Sequence, residues 1–109
     1  MSDSTLRLHM IRSAISGDPA AIEQLLEVSQ PDIRRYAIHY CVNREDAEDA
    51  SQETLWQLYR RIGALQAVAA FPAWLMMIVR RECARLSGRH RHQELFDEQA
   101  MERFSDADL

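Results

Sequence analysis

Between Arg44 and Arg60 the chain reads REDAEDASQETLWQLYR, and this run narrows the fold more than any other stretch. Ala47, Thr54, Leu55, Leu58 and then Ile62 recur at helical spacing, while Glu45, Asp46, Glu48, Asp49, Gln52 and Glu53 fill the early and outward positions. The acids crowd the first half, where they favour unpaired amides and the positive end of the helix dipole. Arg60 and Arg61 close the other end with the opposite sign. Helix stability accounts for that layout but not for Trp56 on the outward side beside Gln52, Glu53 and Tyr59. A large amphipathic ring in such a place suits a contact from which water is expelled. The helix is expected to be both a core element and a candidate docking surface.

The rest of the sequence extends the helical reading. The chain has only three glycines, few β-branched residues and no strand-like alternation, so an all-α fold is expected, a compact bundle of about four helices. Its 109 residues suffice for one domain with a modest core. With 17 acidic against 13 basic residues, the formal charge of -4 argues against coating nucleic acid over the whole surface, although a local basic patch remains compatible with it. The two cysteines, Cys41 and Cys83, both sit in apolar surroundings and read as reduced core thiols. No apolar run is long enough to span a bilayer, so membrane insertion is not expected and the cytoplasm is the expected compartment.

Taken in order, Thr5 to Ser16 is an amphipathic helix stopped by Gly17, and Asp18-Pro19 is a restart signal in which the carboxylate caps free amides. Ile22, Leu25, Leu26 and Val28 mark the next buried face. Pro31 then interrupts the pattern before Ile33, Tyr36, Ala37, Tyr40 and Cys41 resume it, so either one helix kinks near Ser29 to Pro31 or two helices meet there. Asn43 is placed to cap the acidic helix, and Gly63 to end it with a left-handed backbone. Ala64 to Ala70 reads either as a weak helical turn or as an exposed loop. The chain restarts at Phe71-Pro72, and Trp74, Leu75, Ile78, Val79, Cys83 and Leu86 line one face of a last helix. Trp74 is expected to anchor the core.

Charge changes sign along this last helix. Arg80, Arg81, Arg85, Arg89 and Arg91 form a basic cluster with Glu82 among them, and the stretch from Glu94 to Asp108 is acidic. Residues 81, 85 and 89 lie one turn apart, a stripe suited either to solvation and dipole complementarity or to a phosphate backbone. Leu95, Phe96, Met101 and Phe104 are compatible with a short docked helix or with a linker. Catalysis finds little support. The neighbouring acids Asp46, Asp49 and Glu53 have no apolar cleft around them, the histidines His9, His39, His90 and His92 have no ligand grouping, and there is no phosphate-cradling glycine loop. Neither an enzymatic role nor a cofactor or metal is expected.

Two stretches together resemble a known family. DAEDASQETLWQLYR from Asp46 to Arg60 and AFPAWLMMIVRRECARL from Ala70 to Leu86 are similar to region 2 of the extracytoplasmic-function group of bacterial sigma-70 factors. GDPAAIEQLLEVSQPDIRRYA, from Gly17 to Ala37, looks like the start of that domain. The resemblance covers about residues 4–90, leaving 91–109 as an acidic tail or inter-domain linker, with no region 4 helix-turn-helix domain expected in the chain. It implies an all-helical module that binds core RNA polymerase and recognises and helps open the promoter −10 element. Asp46, Glu48, Asp49, Gln52, Glu53 and Trp56 would then face the clamp helices of the largest catalytic subunit. The last helix would supply DNA contacts through Arg80, Arg81, Arg85 and Arg89, and the loop Ala64 to Ala70 would lie near an extruded base. Members commonly carry Asn and Asp where this chain has Arg81 and Arg85. The alternative within the same resemblance is a regulatory interaction module held by an anti-sigma protein.

Overall fold

The computed structural model describes residues 3–88, with side chains from residue 4 onward. Four α-helices, α1 (Asp3–Ile15), α2 (Pro19–Tyr40), α3 (Arg44–Arg61) and α4 (Phe71–Leu86), form an all-α bundle, and the described residues include no strand. Two single 3-10 turns, Ile62–Ala64 and Val68–Ala70, carry the chain from α3 to α4. Arg89, the boundary at residue 90, His90, His92 and the tail 91–109 lie outside the described residues.

The helix ends follow from local chemistry. Gly17, at φ 95°, takes the left-handed position after α1. Its N–H donates to the Ala14 carbonyl and that of Asp18 to the Ser13 carbonyl, which together satisfy two carbonyls of the last turn. The Asp18 carboxylate accepts from the Ala20 N–H at 3.1 Å, with Pro19 opening the first turn of α2. Asn43 Oδ1 accepts from the Asp46 N–H at 2.8 Å and starts α3. Pro31 lies inside α2, which continues through it as one helix, because Ser29 and Ile33 on either side are buried. Gly63 corrects one expectation: it has no positive φ and sits within the 3-10 turn after α3 rather than serving as a left-handed stop.

The core lies where α2, α3 and α4 meet, with α1 packed across α2. Leu25 and Ile33 of α2, Leu58 of α3, Ile62 of the following turn and Val79 of α4 are fully buried, each aliphatic side chain contributing roughly 1.5–3 kcal/mol by leaving water. The buried face of α3 is otherwise small, consisting of Ala47, Ala50, Ser51 and Thr54. The Ser51 and Thr54 hydroxyls donate to the Ala47 and Ala50 carbonyls one turn back, both at 2.7 Å, so they enter the core with their hydrogen bonds made. Small residues let α3 approach its neighbours closely. Trp74 is half-buried against the core and tilted against Phe71.

The cysteines provide a second correction. Cys41 and Cys83 are joined in a disulfide across 42 positions of sequence, not held as separate thiols. The apolar neighbours of each cysteine along its own segment carry no information about the other. The bundle brings the end of α2 against the last turn of α4, with the two Cα atoms 4.8 Å apart, within the span of a disulfide.

Candidate functional site

With Leu58 and a run of small residues turned inward, α3 presents Trp56 and Tyr59 to solvent. Trp56 and Tyr59 remain 59% and 53% exposed, their rings edge-to-face at a centroid distance of 6.1 Å. They stand over an open groove of about 830 Å³ between α2 and α3, floored in part by Leu26 and Leu55. Glu23 and Glu27 of α2 supply its charge, Gln24, Gln30 and Gln52 its amides, and neither Lys nor Arg lines it. An apolar floor, a ring pair at the edge and an acidic rim suit a protein partner with apolar and basic side chains.

The six acidic, amide and aromatic positions marked on α3 are distributed around the helix. Gln52 and Trp56, one turn apart, line the groove, and exposed Asp49 lies three residues before Gln52 on the adjoining face. Glu53 is half-buried, its carboxylate 3.8 Å from Arg60. Glu48 lies 3.9 Å from Arg34 of α2. Asp46 is half-buried in the first turn, where Asn43 takes up its amide.

Of the arginines marked on α4, Arg80 stands apart from Arg81 and Arg85. Arg81 and Arg85 are exposed, whereas Arg80 is half-buried with its guanidinium carbon 4.8 Å from the centre of the Tyr40 ring, a cation–π contact that ties α4 to α2. Arg85 is held by Glu82, to which its Nε donates at 2.9 Å. The other Glu82 oxygen accepts from Gln57 Nε2 of α3, also at 2.9 Å, and Gln57 Oε1 accepts from Arg61 at 3.3 Å. Arg61, Gln57, Glu82 and Arg85 thus form a hydrogen-bonded chain from α3 to α4, and Glu82 within it is only 6% exposed. Neither Gln57 nor Glu82 is among the site residues expected from the sequence. The available signal was that Glu82 falls on the apolar stripe after Ile78 and Val79, where a carboxylate needs donors.

Beside this chain a cleft of about 310 Å³ opens between the end of α3, the link to α4 and α4 itself. Trp74 and Met77 wall it, and Arg61 and Arg81 bring positive charge to it. No described helix is long and apolar enough to cross a membrane.

Comparison with curated proteins and with solved structures gave no match. The family model for Sigma-70 region 2 matches residues 25–93, a span that holds most of α2, all of α3 and all of α4. That family is not a class of enzymes, and its role is RNA polymerase binding and promoter recognition. An all-helical bundle with an exposed acidic and aromatic helix face, matched over these residues, belongs to the sigma-70 region 2 family.

Proposed function

We propose that the chain is the promoter-recognising domain of a sigma factor of the extracytoplasmic-function group, acting in the bacterial cytoplasm. It binds core polymerase through the outer face of α3 and turns α4 toward the −10 element. The observation that carries this reading is the exposed Trp56–Tyr59 pair at the edge of a groove with an acidic rim. On this reading the clamp helices of the largest catalytic subunit lie against Asp49, Gln52 and Trp56, with Asp46, Glu48 and Glu53 on the flanks. Trp56 is the anchor, because burial of a large exposed ring concentrates binding energy.

Arg81 and Arg85 address the phosphates of the opened strand, and the cleft walled by Trp74 offers a stacking surface beside positive charge, a combination that suits an unstacked base. Strand opening costs several kcal/mol and is offset by assembly with polymerase rather than by this domain alone. Catalysis stays with polymerase.

Titration of core polymerase with the parent chain and with Asp49→Ala, Gln52→Ala and Trp56→Ala variants tests the docking face. The expected result is a loss of at least about 10-fold for Trp56→Ala, corresponding to about 1.4 kcal/mol. Unchanged binding in all three would remove α3 from the interface. In the assembled complex, Arg81→Ala and Arg85→Ala should weaken binding of single-stranded −10 DNA. Polymerase binding without any dependence on DNA sequence would favour a regulatory module of the kind an anti-sigma protein holds.

A further inference from the structure

The junction between the end of α2 and α4 includes three unlike contacts on one stripe of α4. Met76, Arg80 and Cys83 recur at helical spacing. The Tyr40 hydroxyl donates to Met76 Sδ at 3.6 Å, the Arg80 guanidinium lies over the Tyr40 ring, and Cys83 is bonded to Cys41. Two of these contacts are weak and separable. The third is covalent, and it joins the chain's only two cysteines.

We infer that Cys41 and Cys83 form a reversible thiol–disulfide couple that sets how firmly α4 is held against α2. This rests on the proposed function in one respect: a chain that works with polymerase meets a reducing cytoplasm, where a disulfide is ordinarily transient or redox-sensing rather than a permanent staple. The two cysteines differ in exposure. Cys41 is half-buried at the α2–α3 bend, flanked by exposed Val42 and Asn43, whereas Cys83 is 4% exposed within the core. The reduced state also has a place prepared for it. Cys83 Sγ lies 3.9 Å from the Ala37 carbonyl oxygen, which already accepts from the Cys41 N–H. A disulfide sulfur has no proton to give, but the Cys83 thiol does, and a carbonyl can accept two hydrogen bonds. Reduction therefore exchanges a covalent tie for a weak hydrogen bond without stranding a polar group.

In the reductive direction a low-molecular-weight thiolate attacks Cys41 Sγ, the Cys41–Cys83 bond breaks, and Cys83 leaves as a thiolate that takes up a proton. A second small thiolate then attacks the mixed disulfide and releases Cys41, which is also protonated, together with the oxidised small disulfide. Two electrons pass to the protein. A small-molecule disulfide such as oxidised glutathione reverses both steps.

The test uses the purified full chain without polymerase, so its failure is separate from any failure of the polymerase reading. The chain is equilibrated across glutathione buffers, denatured and labelled with a maleimide–polyethylene glycol reagent, and its thermal midpoint is measured at each extreme. The inference expects the doubly labelled species to give way to unlabelled monomer in one reversible transition within the glutathione range. It also expects the midpoint to fall by about 10–20 °C on reduction, as follows from releasing a long closed loop. Cys41→Ser should have a midpoint near that of the reduced parent and unresponsive to glutathione. Two free thiols at every buffer ratio, a bridge that yields only after denaturation, or equal midpoints for both states would each overturn the inference. The parent alone decides all three, so the result stands even where a variant fails to fold.

Discussion

Within α4, Glu82 occupies a position that Ile78 and Val79 mark as apolar, and its charge is tolerated there because Gln57 and Arg85 both donate to it. Glu82→Ala removes the acceptor for both and is expected to cost about 1–3 kcal/mol of stability, measured by urea unfolding. Glu82→Gln keeps one carbonyl acceptor and should lose less. Trp56 is the contrasting case. Its ring is 59% exposed and supports little of the core, so Trp56→Ala should shift stability by no more than about 1 kcal/mol while weakening polymerase binding. The outward position of Trp56 was legible because it depends only on the phase of its own helix. The inward turn of Arg80 was not, since it depends on where Tyr40 of another helix lies.

At the scale of the element, the helix starts are written locally and are testable locally. Asn43→Ala should cost about 1 kcal/mol through loss of the acceptor for the Asp46 amide, read as a lower urea midpoint with an unchanged slope. Gly17→Ala meets no atom within 4 Å, yet it places a Cβ at φ 95° and should cost about 1 kcal/mol by the same measurement. Both caps could be read from two or three consecutive residues. Pro31 could not be resolved this way. A proline inside a helix is unfavourable by about 3 kcal/mol, and only the burial of Ser29, Ile33 and Ala37 on one continuous face outweighs it. Gly63 shows the same limit, because the chain leaves α3 through a 3-10 turn whose course is set by burial of Ile62.

For the whole molecule, the disulfide is the largest single constraint on the unfolded chain. Closing a loop across 42 positions is expected to stabilise the bundle by up to about 4 kcal/mol in the chain-entropy description, a large share of what a domain of this size has. Reduction should therefore move the urea midpoint more than any one cap. The ion pairs contribute far less. Arg34–Glu48, between α2 and α3, is exposed on both sides and worth at most about 1 kcal/mol, so moderate salt should leave folding nearly unchanged. DNA binding by the polymerase complex should weaken steeply over the same salt range, because each neutralised phosphate releases counterions. Separate salt titrations of unfolding and of strand binding distinguish the two.

By itself the sequence determined the helical class, the caps at Asp18 and Asn43 and the two-faced character of α3. Each of these follows from side-chain spacing along one segment, which the backbone period converts into faces. Tertiary structure alone decided that Cys41 meets Cys83, that Arg80 rests on Tyr40 while Arg81 and Arg85 face outward, and that Gln57 and Glu82 link α3 to α4. These pairings join residues on different helices, and they depend on how the helices rotate and slide as they pack. Periodicity within a helix says which side faces in, but only the packed bundle says what that side meets.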